Sequence, residues 1–330
     1  MLTHRNLAFI ATTQASLRRY APGDVTYCPL PIAHAGALAS ITLGTLIGGG
    51  CIHLAARFDA AELARALRDE RVSVVPGVPT LHLKLAEWAR EHRQPLVAPR
   101  LRMATSAASP LDARVKSLAE ALYGVPLQNG YGLTETTAIV CQTRLGIPLP
   151  KTSVGQALPQ VRVRFVDDRG NPVEPGTVGA IEVAGPNLFR GYYRNEAATR
   201  EAFTADGWFR TGDLGYADAD GDVFIAGRAK DLVKRAGFSI HPVDVEAALN
   251  AHASVAMSCV VGRPHGADEE VVAFVQLAQG TRELPADLNA FLASRLAGYE
   301  IPGVIRVLAE LPTLSNGKVD KVALRRMACD

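Results

Sequence analysis

At 330 residues, with 48% hydrophobic and 21% charged, the chain is too long for one ordinary core and too apolar for a disordered one, so two or three domains are expected. A net charge of +2, with basic residues scattered instead of clustered, argues against a large electrostatic partner such as nucleic acid. Five cysteines, odd in number, far apart and without a Cys-x-x-Cys pair, argue against a disulfide framework or a zinc site and fit a reducing cytoplasm.

The opening residues MLTHRNLAFI lack the basic and apolar regions of a signal peptide. From Val25 to about Gly130, short apolar runs (VTYCPL, CIHL, VSVV, LRMAT) alternate with helical patterns, which predicts a parallel sheet covered by helices. The uncharged stretch from Ala35 to Ala56 is interrupted by Gly48-Gly49-Gly50. The part before the glycines would reach only about 20 Å as a helix, against roughly 30 Å of bilayer core, so it predicts a buried helix leading into a buried strand and no membrane span. A helix over Asp59 to Glu70 is capped by Asp59 and turns Leu63, Ala66 and Leu67 inward. Ligands of such sheets sit beyond the carboxyl ends of the strands, which singles out the segments PGVPT, SAASP and GYGLTET. From about Lys151 to Gly227, alternating strands with turn signals (VRVRFVDD, RGNPVEPG, VGAIEVAG) predict a small β-barrel or sandwich. After Arg228 a helix near Val243 to Asn250, strands near Val255 to Val261 and Val271 to Leu277, and a helix near Leu284 to Leu296 predict a separate α+β domain of about a hundred residues.

Three segments carry chemistry. In QNGYGLTETT (Gln128 to Thr137), glycines let backbone approach a ligand, Tyr131 offers a flat face for a base, Thr134 can bond a phosphate oxygen, and Glu135 can hold Mg²⁺. Taken alone it reads equally well as an ordinary polar loop. In GWFRTGDLGYADADGDVFIAGRAKDLVK (Gly207 to Lys234), Asp213 can accept from two vicinal ribose hydroxyls and Arg228 can bind ribose or phosphate oxygens. The acidic run at Asp218, Asp220 and Asp222 reads as a hairpin turn, because Ala229 stands where a calcium loop needs Glu. In LPTLSNGKVDK, Lys318 follows Asn316-Gly317 on a turn, a setting suited to neutralising a phosphoryl group in transit.

These segments, in this order and at these separations, resemble the AMP-forming adenylating superfamily of acyl-CoA synthetases, nonribosomal-peptide adenylation domains and luciferases. The resemblance extends over LTHRNL, PLPIAHAGA, VPGVPT, TSAASPL, YGLTET, FRTGDLG, GRAKDLVKRAGFSIHP and NGKVDK, essentially the whole chain. It implies an α/β plus α+β fold: a large domain over residues 1–229, with an α/β part to about 148 and a β-barrel part from about 149, then a small mobile domain over 230–330. It implies two half-reactions with ATP, Mg²⁺ and CoA. A carboxylate displaces pyrophosphate from ATP to give an acyl-adenylate, and a thiol then displaces AMP. Carried over by position, Lys318 bridges carboxylate and α-phosphate, while Thr134 and Glu135 hold phosphate and Mg²⁺. Tyr131, Ala107 and Ala108 line the adenine slot, with Asn129, Gly130 and Gly132 beside them. Asp213 and Arg228 take the ribose, His34 flanks the acyl pocket, Lys230 is the hinge, and Gly237 lies on the pantetheine path. His34 also reads as a histidine at a helix start.

Three departures stand out. The family's Ser-Gly of the adenine loop is Ser106-Ala107 here, and its Gly-Gly after the hinge is Ala236-Gly237. The Ser/Thr/Gly-rich phosphate-gripping loop that normally precedes LTHRNL has no counterpart, which implies an upstream segment or second chain to supply it. The expected activity is that of an AMP-forming acyl-CoA ligase of a fatty-acyl-CoA type acting on a small-molecule carboxylic acid. An adenylation module loading a carrier protein is the alternative, ranked lower because no carrier domain follows Lys318. A third reading is a truncated, non-catalytic module that binds nucleotide or adenylate.

Overall fold

The computed structural model describes residues 1–147, 151–266, 268–314 and 317–330. The expected boundary at about 148 and Asn316 of the lysine turn lie outside the described residues. The chain divides into two compact units, one made of residues 1–211 and 215–225, the other of residues 212–214 and 226–330.

The first unit opens with α1 (His4–Leu17), which starts at Thr3 because the Thr3 hydroxyl and the Asn6 side chain close a reciprocal capping box. After β1 (Val25–Cys28) the chain forms a π-helical segment over Gly36–Leu43 that runs directly into α2 (Gly44–Ile47), then β2 (Cys51–Leu54). Three strand–helix pairs follow: α3 (Ala60–Asp69) and β3 (Val74–Gly77), α4 (Pro79–Glu91) and β4 (Met103–Ala107), α5 (Ala113–Tyr123) and β5 (Leu127–Tyr131). Asp59 caps α3 through Glu62 N–H, and Leu63, Ala66 and Leu67 are buried, as their spacing predicts. With β6 (Cys141–Gln142) and β7 (Gln156–Ala157) these strands form one sheet in the order β2-β1-β3-β4-β5-β6-β7. The first five run parallel and β6 and β7 antiparallel. Leu67, Leu85, Val115 and Ala119 of α3 to α5 pack with Val75, Ala104 and Leu127 of the strands. Burial of each such leucine contributes about 1.5–3 kcal/mol.

One expectation fails here. The stretch before Ala56 is not buried throughout: Leu46 and Ile47 of α2 are each 52% exposed and Leu54 of β2 is 59% exposed. For Leu54 the physical reason is topological, since β2 is the edge strand of the sheet and pairs with β1 alone. An apolar run has the same composition at an edge as at a centre.

The β part consists of β8 (Arg162–Val166), β9 (Gly179–Ala184), a short α6 (Glu196–Glu201), β10 (Phe209–Ala217) and β11 (Val223–Arg228), with the strands in an open sheet ordered β11-β10-β9-β8. The second unit continues through the hairpin β12 (Val233–Arg235) and β13 (Phe238–Ile240), α7 (Pro242–Asn250), β14 (Val255–His265), β15 (Asp268–Leu277), α8 (Leu288–Ala293), β16 (Val304–Leu308) and α9 (Lys321–Cys329). Its sheet runs β14-β15-β16. Alternation along β15 sends Val271, Ala273 and Val275 into a core with α7 and α8, and Val272 and Phe274 into a core with α9. The helix expected from Leu284 to Leu296 is shorter, spanning Leu288–Ala293, and Pro285 disfavours helical backbone at Leu284 before it. No helix among the described residues is long and apolar enough to cross a membrane.

Candidate functional site

In the first unit, strand register assembles one group of candidate residues. The parallel pairing of β4 with β5 places Ser106 beside Asn129 and Ala107 beside Gly130, so both segments leave the carboxyl edge of the sheet together. Gly132 follows with no room for a side chain, since a Cβ there would overlap the Ala138 carbonyl. Thr134 and Glu135 then start a 3-10 turn over Thr134–Thr136, with the Thr134 side chain exposed and Glu135 half-buried. The turn is closed by Thr136, whose hydroxyl takes the Leu133 N–H at 2.9 Å and donates to the Leu133 carbonyl at 3.0 Å. Thr137 and Ala138 lie in the left-handed region, with φ of 52° and 86°, a strained backbone for residues with side chains.

The side chains of this group are used differently. Tyr131 is buried among Ile10, Ile139 and Val140, and Val140 N–H donates to its carbonyl at 2.7 Å. The Asn129 amide donates to the Thr152 and Ser153 carbonyls at 3.2 and 3.1 Å, so its side chain holds the incoming chain in place. His34 accepts from Gly36 N–H through Nδ1 at 3.2 Å at the head of the π-helical segment, and a Cβ built on Gly36 would stand 3.9 Å from Ala138 Cβ. The loop Ser106–Pro110 carries its left-handed residue at Ala108 (φ 72°), one position beyond the departure at Ala107.

Several residues that sequence reasoning passed over hold this group. His82, fully buried in α4, bonds the Thr105 carbonyl through Nε2 at 3.1 Å and the Tyr123 hydroxyl through Nδ1 at 2.9 Å. Burial pushes its imidazole down to about 4, so it is neutral, donating Nε2–H to Thr105 and accepting from Tyr123. The segment 185–192 clasps the Thr134 turn. Phe189 N–H donates to the Glu135 carbonyl at 2.7 Å, the Thr137 hydroxyl to the Asn187 carbonyl at 2.7 Å, and the Tyr192 hydroxyl to Glu135 Oε1 at 3.0 Å. Asn6 of α1 anchors the same segment, donating to the Pro186 and Leu188 carbonyls at 2.8 and 2.9 Å. That gives the LTHRNL motif a structural task.

A second group forms in the second unit. The Asp213 side chain, 5% exposed, accepts from Arg228 Nε at 2.9 Å. A nearly buried carboxylate needs such a partner, because an isolated charge there would be costly to desolvate. Lys318 joins them: burial first and the Arg228 charge second lower its ammonium below the usual lysine range, while Asp213 opposes the shift. An ammonium held beside a guanidinium is set to favour an incoming anion. Lys230 is exposed in the 3-10 turn Ala229–Asp231, where Asp231 pairs with Arg325 of α9 at 2.6 Å. Gly237 (φ 79°) forms the β12–β13 turn with Ala236, and Ala236 (φ 52°) also adopts the left-handed conformation, at the position where the family carries glycine.

Comparison with known proteins identifies the family of the chain. Residues 1–193 match the AMP-binding enzyme family and residues 244–318 match the AMP-binding enzyme C-terminal domain. The chain is 34% identical to a feruloyl-CoA synthase of Amycolatopsis over 328 residues, 99% of this chain and 66% of that protein. It is 35% identical to a long-chain-fatty-acid–CoA ligase of Thermus thermophilus, over 92% of this chain and 58% of the relative. The crystal structure of ATP-bound MatB from Rhodopseudomonas palustris superposes with a TM-score of 0.93 at 33% identity, over 100% of this chain and 65% of that one. The chain thus spans just under two thirds of the length of the relatives it matches. With one family match over more than half of its length and a second in its C-terminal unit, the chain belongs to the AMP-binding enzyme family, within the AMP-forming adenylating superfamily that its motifs resemble.

Proposed function

We propose that this chain carries the adenylating machinery of an AMP-forming carboxylate–CoA ligase. The observation that carries the reading is the convergence of Asp213, Arg228 and Lys318, residues separated by up to 105 positions. A carboxylate, a guanidinium and an ammonium in that arrangement suit a ribose 5′-phosphate whose phosphorus is under attack. In the first half-reaction a substrate carboxylate oxygen bonds to the α-phosphorus of ATP, the bond to the β-phosphate oxygen breaks, and pyrophosphate leaves. Lys318 offsets the charge that accumulates between carboxylate and α-phosphate. Asp213 accepts from the ribose hydroxyls with Arg228 beside it, and Thr134 donates to a phosphate oxygen. Ala107, Ala108 and the backbone from Asn129 to Gly132 border the adenine. In the second half-reaction a thiol sulfur bonds to the acyl carbon, the proton leaves the sulfur, and AMP departs; Lys230 acts as the hinge and Gly237 borders the thiol's path.

Glu135 fits a Mg²⁺ role, since a Mg²⁺ ion is held mainly by phosphate oxygens and water and needs only one or two protein carboxylates. When bound, the ion would neutralise phosphate charge. The substrate is a carboxylic acid of small-molecule size, with His34, Gly36 and Val78 bordering its pocket, and the acceptor is CoA. The CoA ligase relatives support that acceptor over a carrier protein. Carboxylate-dependent exchange of pyrophosphate into ATP, measured on the 330-residue chain against aliphatic, aromatic and alicyclic acids, tests the reading. Exchange with one class of acid is expected. AMP binding without exchange for any acid would contradict adenylation by this chain.

A further inference from the structure

We infer that Tyr192 is a positioning residue for the Glu135 carboxylate and sets the Mg²⁺ requirement of nucleotide binding. The inference rests on the reading of Glu135 given above. Glu135 stands on a turn whose backbone is fixed on both sides, by the left-handed Thr137 and Ala138 and by Phe189 N–H on its own carbonyl. That fixes where its side chain begins and leaves the torsions of a flexible side chain to be settled. The Tyr192 hydroxyl settles them by donating to Oε1 at 3.0 Å. Tyr192 is itself held at three points: its N–H donates to Thr199 Oγ1 at 2.9 Å, its ring meets Phe189 edge-on at 4.9 Å, and its hydroxyl meets Glu135. Gly191 before it has φ 141°, and a Cβ there would fall 2.7 Å from Thr199 Cγ2, so the approach to Tyr192 also depends on a missing side chain. The outcome is a carboxylate with one oxygen bound to a rigid phenol and the other oxygen available to an ion. Outer partners of this kind fix a ligand's orientation, and their loss commonly weakens metal binding tenfold or more.

The test is calorimetric titration of the full chain with ATP at a series of Mg²⁺ concentrations, and with AMP in the absence of Mg²⁺, for wild type, Tyr192→Phe and Glu135→Gln. The phenylalanine variant keeps the ring contact with Phe189 and loses only the hydroxyl. The expected result is an approximately tenfold rise in the Mg²⁺ concentration that half-saturates ATP binding by Tyr192→Phe, with AMP affinity unchanged. Glu135→Gln should raise that Mg²⁺ concentration at least as much, again with AMP affinity unchanged. An unchanged Mg²⁺ dependence in Tyr192→Phe overturns the inference, as does a parallel loss of AMP affinity, which would mark Tyr192 as structural only. Wild-type chain that binds ATP with no Mg²⁺ dependence overturns it by removing Glu135 from the metal, and wild-type chain that binds neither nucleotide overturns the proposed function along with it.

Discussion

His82 offers a prediction whose size follows from its surroundings. It is fully buried between Thr105 and Tyr123, and its imidazole is pushed from 6.5 down to about 4 by burial. Because the folded value lies below the unfolded one, the unfolded chain binds the proton more readily, and acid therefore favours unfolding. The contribution is fully present above pH 6.5, is lost progressively as pH falls, and is gone below about 4. At 1.36 kcal/mol per pH unit, that interval corresponds to about 3 kcal/mol. The perturbation is His82→Gln, which keeps a donor for Thr105 and cannot titrate. Urea unfolding of wild type and variant between pH 7.5 and 4.5 should show wild type losing about 2–3 kcal/mol more than the variant, whatever the variant's stability at pH 7.5. Parallel stability curves for the two proteins would refute the assignment of a buried neutral imidazole.

Two further predictions concern the second unit. Asp213→Asn preserves shape and removes the charge-assisted acceptor, so AMP affinity should fall about 10- to 100-fold by calorimetry, the equivalent of about 1.5–3 kcal/mol; unchanged affinity would remove Asp213 from the ribose. Ala236→Gly relieves a left-handed alanine (φ 52°). The steric gain of about 1–2 kcal/mol exceeds the added chain entropy of about 0.5–1, so net stabilisation of about 0.5–1 kcal/mol is expected in urea unfolding, and a loss of stability would contradict the strain.

What the sequence disclosed depended on how local the determinant was. The Asp59 cap, the inward face of α3 and the strand carrying Thr105 are written in short-range periodicity and stand close to where the pattern puts them, whereas β5 runs on to Tyr131, which the pattern puts in the segment after the strand. The convergence of Asp213 with Arg228 was legible through motif resemblance, because each residue sits in a recognisable motif, although both stand on strands, Asp213 within β10 and Arg228 at the end of β11. Tyr192 and Asn6 were not legible: their partners lie 57 and at least 180 positions away, and a hydroxyl on a loop or an amide in the first turn of a helix carries no signal of what it will touch. His82 was hidden inside an apolar helix pattern. The exposure of Leu54 and the π-helical winding of Gly36–Leu43 were hidden for related reasons, since edge position is a property of the whole sheet and a run of small apolar residues fits more than one helical period.

The central claim is that Lys318, beside Asp213 and Arg228, serves the adenylation step. The most direct test is Lys318→Ala in two assays on the same preparation: carboxylate-dependent pyrophosphate exchange, and thioester formation from a supplied acyl-adenylate and CoA. The account predicts that exchange falls by about a hundredfold or more while thioester formation is largely kept, as expected when a charge made for one transition state is removed. Equal losses in both half-reactions, or exchange that survives the substitution, would contradict it.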